Sequence, residues 1–110
     1  MTRVLIGEFG AIATLGLREL LEEICEIVGE GTHWSDIAAR VRETTSDVVV
    51  VDADSRLGLA DAAALASRVP GLTVIGCSLR EPTLHVFSSR GASYTTELSP
   101  SSLLDAVNVR

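Results

Sequence analysis

The 110-residue sequence contains no lysine, so all nine of its cationic side chains are arginine. Its fifteen carboxylates outnumber them, and the formal net charge is −6 at pH 7. This is the wrong sign for a surface that binds nucleic-acid phosphates, because such surfaces need clustered cations. The absence of lysine also excludes any site whose chemistry depends on an ammonium side chain.

Aromatic residues and cysteines are scarce too. With one Trp, one Tyr and two Phe in a chain that is 46% hydrophobic, the core must be built from Leu, Val, Ile and Ala. Cys25 and Cys77 lie within separate apolar runs, which predicts two reduced, buried thiols. No apolar run is long enough to cross a bilayer, and the N-terminus enters a strand-like run without a signal peptide. We therefore expect a cytoplasmic protein with no membrane partner.

Short apolar runs rich in β-branched residues alternate with segments of helical periodicity. The predicted strands lie at 3–6, 26–28, 47–51, 72–77 and 93–96. The predicted helices lie at 11–25, 35–43, 57–69 and, more briefly, 83–89, and a last helix begins at Ser99-Pro100 with Ser as N-cap. Runs of this kind fit strands that are buried on both faces. The alternation predicts one domain over residues 1–110, a doubly wound α/β sheet of five parallel strands with helices on both faces.

Polar side chains follow several of these strands. Glu8 follows the first, Asp52 the third, Ser78 the fourth and Glu97 the fifth. In a doubly wound sheet the functional crevice lies beyond the carboxyl ends of the strands. Two carboxylates held close together there repel each other, which raises the pKa of one of them unless a cation lies between them. Glu8 and Asp52 therefore suggest a divalent-cation or phosphoryl site. The alternative is that these residues are simply solvated loop starts.

Four segments, taken in order, resemble the receiver domain of bacterial two-component response regulators, in the branch that carries a helix-turn-helix output domain. They are RVLIGEFGAIATLGLRELLE, IVGEG, DVVVVDAD and RGASYTTELSPSSLLDAV. The resemblance covers nearly the whole chain and implies a flavodoxin-like sheet with the strand order 2-1-3-4-5. It also implies a non-enzymatic, N-terminal regulatory domain of a longer transcriptional regulator. A sensor kinase would be a possible partner, and DNA would be bound only through an output domain outside this chain.

The family's functional residues can be carried over by position. Asp52 matches the phospho-acceptor aspartate, and Glu8 matches the first residue of the acidic pair that binds magnesium. Asp54 falls where the family supplies a backbone carbonyl to the metal. Ser78 matches the residue whose hydroxyl turns toward the phosphoryl group, and Tyr94 matches the aromatic switch residue.

Two departures from the family pattern argue against phosphorylation. The second residue of the acidic pair is Phe9, and the position of the family's lysine is occupied by Glu97. A phosphoryl group on Asp52 would add about two negative charges. A like-charge contact at about 4 Å costs on the order of 4 kcal/mol at an effective dielectric of 20. If Asp54 swung inward, three carboxylates could surround a cation, but magnesium requires near-octahedral geometry.

These observations favour an atypical receiver that controls a DNA-binding transcription factor by dimerisation, without phosphorylation of Asp52. The first and last helices are the candidate dimer surfaces, with Leu15 as the first residue to test. No cofactor is expected, and Mg²⁺ only if the pocket functions. One alternative is a conventional Mg²⁺-dependent phospho-acceptor, and another is a small-molecule sensor with Phe9 and Ser78 lining the crevice. An unrelated flavodoxin-like enzyme ranks last, because the chain has no glycine-rich phosphate loop and no nucleophile–base pair.

Overall fold

The computed structural model describes residues 1–55, 59–89 and 93–108. The elements follow in the order β1 (Arg3–Gly7), α1 (Ala11–Leu21), β2 (Glu26–Thr32), α2 (Trp34–Thr44), β3 (Val48–Asp52), α3 (Leu59–Arg68), β4 (Thr73–Ser78), β5 (Thr83–Ser88), β6 (Ser93–Glu97) and α4 (Pro100–Val107). The strands form one mixed sheet in the order β2-β1-β3-β4-β5-β6. None of the helices in the described ranges is both long enough and apolar enough to cross a membrane.

The predicted five-stranded, all-parallel flavodoxin-like sheet is wrong. The neighbours β2-β1-β3-β4 are parallel, but the segment predicted as a short fourth helix is the strand β5, which is antiparallel to both β4 and β6. Leu84 and Val86 are buried on one face while His85 lies between them, which is the period of two that a strand requires. The turn at residues 79–82 leads straight back along β4 as a hairpin.

Both faces of the sheet are covered by helices. Val48 and Val50 pack in the cluster beneath α1 and α4, whereas Val49 and Val51 pack in the cluster beneath α2 and α3. All four valines are at most 3% exposed. The run of four valines before Asp52 is thus explained by burial on both sides, and it delivers that aspartate to the edge where the strands end.

Three local predictions are confirmed. Both cysteines are free and buried. Ser99 is the N-cap of α4, since its hydroxyl accepts a hydrogen bond from the backbone N–H of Ser102 at 3.1 Å. Pro100 is the first residue of the helix, where its missing N–H costs nothing.

Candidate functional site

A crevice opens at the carboxyl ends of β1, β2 and β3, where the sequence predicts the functional edge of the sheet. Its volume is about 340 Å³, and both Glu8 and Asp52 line it. Gly7 forms part of its wall, where a Cβ would lie 3.2 Å from the carbonyl oxygen of Val50. Trp34, at the start of α2, contributes to the lining as well. The structure therefore brings together the two carboxylates that follow the first and third strands.

Asp52 begins a turn at the end of β3. Its Oδ1 atom accepts a hydrogen bond of 2.9 Å from the backbone N–H of Asp54. Its carbonyl oxygen accepts a hydrogen bond of 2.7 Å from the hydroxyl of Ser55. One carboxylate oxygen of Asp52 is thus engaged by its own turn, while the half-buried side chain still borders the crevice.

Asp54 joins this turn to the one that follows β4. Its Oδ1 atom accepts a hydrogen bond of 2.7 Å from the hydroxyl of Ser78. Its Oδ2 atom accepts from the backbone N–H groups of Leu79 at 2.7 Å and Arg80 at 3.1 Å. The Ser78 oxygen also accepts from the N–H of Glu81 at 3.4 Å. We call this network the Asp54–Ser78 clamp, because it ties together the loops after β3 and β4.

The clamp stabilises the ionised form of Asp54. The hydrogen bond from the Ser78 hydroxyl lowers the pKa of Asp54 below its usual 3.8, and the N–H of Leu79 lowers it further. Asp54 therefore stays ionised at neutral pH and keeps Ser78 as a donor. The Ser78 hydroxyl has to break this charge-assisted bond before it can turn toward Asp52.

Cys77 lies beside Asp52 in the sheet, because the two residues are paired in the register of β3 and β4. Burial raises the pKa of the Cys77 thiol to about 12, and the negative charge of Asp52 adds to this effect. The thiol consequently stays protonated at neutral pH. It serves as a small core residue, since the thiolate is the form that attacks electrophiles and binds metals.

Phe9 lies outside the crevice. It packs against the core beneath α1 and α4 and lines a separate apolar groove of about 770 Å³ between α1 and the start of α4. Ser78 belongs to the clamp instead. The sensor hypothesis expects Phe9 and Ser78 to line one crevice, but neither of these two described cavities contains both residues.

Tyr94 and Glu97 lie on β6, at the edge of the sheet. Because β4 and β5 separate β6 from β3, Glu97 is three strand spacings from the strand of Asp52, or about 14 Å at ~4.8 Å per spacing. The predicted five-stranded sheet would leave only two spacings. The additional strand therefore places Glu97 one strand spacing farther from Asp52 than the predicted sheet does, which weakens the effect of its charge on Asp52. Tyr94 is 47% exposed.

A magnesium site requires a converging set of oxygen ligands. Within residues 1–55, 59–89 and 93–108, no three His, Cys, Asp or Glu side chains gather into a group that could hold a metal ion. Glu8 and Asp52 share the crevice, whereas both carboxylate oxygens of Asp54 accept hydrogen bonds in the clamp. The predicted set of Glu8, Asp52 and Asp54 is therefore not assembled in the described structure. Binding of Mg²⁺ by Glu8 and Asp52 alone stays an untested alternative.

The role of Asp54 in the clamp is the main feature that the sequence did not predict. An Asp-x-Asp segment after a strand signals a side-chain turn, and the bond from the Asp54 N–H to Asp52 is such a turn. The partners of the Asp54 side chain, however, lie 24 to 26 residues later in the chain. No local sequence pattern indicates that the Asp54 carboxylate binds the loop after β4.

Comparison with models of known protein families gives no match for this chain, and comparison with curated proteins gives none either.

Proposed function

We propose that this chain is a receiver-like regulatory domain that acts without phosphorylation of Asp52. The observation that supports this most is the Asp54–Ser78 clamp, in which the hydroxyl at the family's switch position donates to an internal carboxylate at 2.7 Å. In a receiver that responds to phosphate, this hydroxyl turns toward the phosphoryl group. Here that movement would leave Asp54 without the donor that lowers its pKa most.

The charges around Asp52 support the same proposal. Glu8 lines the crevice together with Asp52. A phosphoryl group would add about two negative charges to these carboxylates. The chain has no lysine with which to offset them.

Regulation would then depend on how copies of the domain associate rather than on their modification. A homodimer would bring together two output domains outside this chain, and those domains would supply the DNA contacts. A sensor kinase would have no direct role at Asp52. The protein would act in the cytoplasm, where its two buried thiols stay reduced.

The proposal can be tested by sedimentation velocity on the wild type and Asp52→Asn, each with and without acetyl phosphate and Mg²⁺. We expect the same distribution of monomer and dimer in all four samples. A shift that the phosphodonor causes in the wild type but not in Asp52→Asn would contradict the proposal. It would instead favour the conventional phospho-acceptor.

Ligand sensing is a second candidate, and the size of the crevice favours it. Its volume of about 340 Å³ lies within the range of ~300–1,000 Å³ that is typical of small-molecule sites. Trp34 lies in the lining and would report on an occupant. A metabolite library can be screened by thermal shift. The sensor candidate requires a compound that raises the melting temperature and changes Trp34 fluorescence, and it is rejected if stabilising compounds leave the fluorescence unchanged.

A further inference from the structure

Strand β6 forms one edge of the sheet. It is paired with β5 on one side, and no other strand of the described residues pairs with its outer side. Four of its five residues are exposed. The reason is that α4 covers β5 instead, since Leu84 and Val86 of β5 share a core cluster with Leu103 of α4. The edge of the sheet thus extends beyond its helical cover.

The ladder between β5 and β6 shows which residues of β6 bond inward. The backbone N–H of Leu98 donates to the carbonyl oxygen of Pro82 at 2.9 Å, just beyond the end of the strand. In an antiparallel ladder, hydrogen-bonded and non-hydrogen-bonded pairs alternate along the strand. Tyr94 and Thr96 therefore direct their backbone N–H and C=O groups toward β5.

The other three residues of β6 consequently direct their backbone groups outward. These are Ser93, Thr95 and Glu97. The carbonyl oxygen of Glu97 accepts a hydrogen bond of 2.7 Å from the hydroxyl of Ser102, which occupies one of its two lone pairs. Thr95 lies at the centre of this outward-facing row.

The opposite edge of the sheet, β2, differs in ways that hinder pairing. Its register against β1 shifts twice, and Gly31 at its end has a φ of +66°. Its carboxylates Glu26 and Glu30 form ion pairs with Arg3 and Arg18. Irregular register and charge are the devices that protect edge strands from pairing. In contrast, β6 has an unbroken register with β5 and contains neither proline nor lysine.

We propose that two copies of this chain pair along β6, antiparallel about a two-fold axis at Thr95, and so join their sheets. The inference rests on the proposed function, because it supplies the surface through which copies would associate. This register places Thr95 opposite Thr95 and Ser93 opposite Glu97 of the second copy. It would form about six backbone hydrogen bonds between the copies.

The side chains of β6 suit this register. Glu97 faces a serine, so no two carboxylates are placed directly opposite each other. Tyr94, which is 47% exposed, lies opposite Thr96 of the second copy, and aromatic and β-branched residues pair favourably across strands. Because the contact uses the same strand in both copies, it forms a closed two-fold dimer and not an open chain of copies. The irregular β2 edges keep the joined sheet from growing further.

The dimer is expected to be weak and to depend on salt. Five residues of edge strand cover less than the ~800 Å² per subunit that is usual for a stable interface. Each copy also carries a net charge of −6, and the mutual repulsion is screened by added salt. Association should therefore increase with protein concentration and with ionic strength.

Sedimentation equilibrium on matched variants tests the proposal. Thr95→Pro removes an outward N–H without removing a backbone hydrogen bond to β5, although it does remove the contact of 3.5 Å between the Thr95 hydroxyl and Nδ1 of His85. We expect it to weaken dimerisation about tenfold or more, because two hydrogen bonds between the copies are lost. Thr95→Val, which keeps the N–H, should dimerise like the wild type. Thr95→Glu should weaken the dimer in a salt-dependent way, because it places two carboxylates opposite each other at the two-fold axis. Thr95→Gln, which is uncharged, should not weaken the dimer in this way.

Three results distinguish the competing outcomes. If Thr95→Pro fails to fold, as judged by circular dichroism, the comparison of Thr95→Glu with Thr95→Gln decides whether β6 forms the interface. A dimer that survives both Thr95→Pro and Thr95→Glu overturns pairing through β6 but preserves regulation by self-association. If Leu15→Glu abolishes that dimer, the interface is the α1 surface. A wild type that remains monomeric up to millimolar concentration overturns both β6 pairing and self-association, and phosphorylation is tested separately.

Amide hydrogen exchange provides a readout that needs no variant. Tyr94 and Thr96 bond to β5, so their amides should be protected at every protein concentration. The amide of Thr95 should gain protection only as the concentration rises. Equal exchange of the Thr95 amide at low and high concentration, in samples that contain dimer, would overturn the proposed pairing.

Discussion

The hydroxyl of Ser78 donates a hydrogen bond of 2.7 Å to Oδ1 of Asp54, which precedes it by 24 residues in the chain. This bond joins the loop after β3 to the loop after β4, next to the crevice that contains Glu8 and Asp52. Ser78, which the resemblance matches to the switch position of receiver domains, is therefore held by a hydrogen bond within the chain.

Removing the Ser78 hydroxyl should destabilise the protein. We expect Ser78→Ala to lower the free energy of unfolding by about 1 kcal/mol, because the clamp loses its side-chain donor. Urea denaturation measures the difference. Ser67→Ala, on the exposed face of α3, is the matched control and should stay within about 0.5 kcal/mol of the wild type. Equal values for the two variants would show that the clamp adds nothing to stability.

Asp54 should give this stabilisation a pH dependence. Its pKa is lowered in the folded state, so its contribution is fully present above the unfolded value near 3.8 and is lost as the pH falls through the lower folded pKa. The stability difference between wild type and Asp54→Asn should thus be largest at neutral pH and shrink below pH 3.8. Ser67→Ala, which removes no ionisable group, should show no such trend. A difference for Asp54→Asn that stays constant down to pH 2.5 would contradict the prediction.

Both cysteines should resist alkylation in the native state. Burial raises the pKa of the Cys77 thiol to about 12 and also raises that of Cys25, so few thiolates exist at pH 8. We expect iodoacetamide to modify neither thiol over the time in which a small free thiol reacts completely. In urea both thiols should react. Rapid native labelling, located by peptide mass analysis, would show that the core around β4 opens readily.

Magnesium should not produce a saturable change in the fluorescence of Trp34, the one tryptophan of the chain. Trp34 lines the crevice with Glu8 and Asp52, so a cation bound by these carboxylates would alter its surroundings. A titration to millimolar Mg²⁺ at constant ionic strength tests this. A saturable change that disappears in Asp52→Asn would support the conventional phospho-acceptor instead.

The alternation of buried residues along β5 can be tested by alanine substitution. Leu84→Ala should cost about 2–5 kcal/mol, because Leu84 is fully buried between the sheet and α4. Val86→Ala should also destabilise the protein, whereas His85→Ala, at a half-buried position of the other face, should cost much less. Similar costs at all three positions would contradict the period of two.

Much of the fold could be predicted from local patterns. Continuous valine runs indicated strands buried on both faces, and the Ser99-Pro100 pair indicated the start of α4. The segment that forms β5 was wrongly predicted as a helix. The strand–helix alternation of the preceding chain favoured a helix there, and the stretch is short, with Leu84 and Phe87 both apolar. The alternation of Leu84 and Val86 around His85 was the signal for a strand. Packing against β4 and α4 then decided the outcome, as it does for most short segments.

The site could be predicted only in part. Glu8 and Asp52 come together as expected, because the ends of parallel neighbouring strands meet at one edge of the sheet. The position of Glu97 relative to Asp52 depended on the number of strands between them, so the missed strand changed it. The clamp depends on a contact between two loops that are distant in sequence.

Intact-mass analysis after incubation with acetyl phosphate and Mg²⁺, with Asp52→Asn as the control, asks whether Asp52 accepts phosphate at all. We expect both proteins to keep their unmodified masses, because the clamp holds Ser78 and Glu8 lies in the same crevice as Asp52. An acid-labile gain of one phosphoryl group on the wild type, absent from Asp52→Asn, would contradict the proposal that this domain acts without phosphorylation.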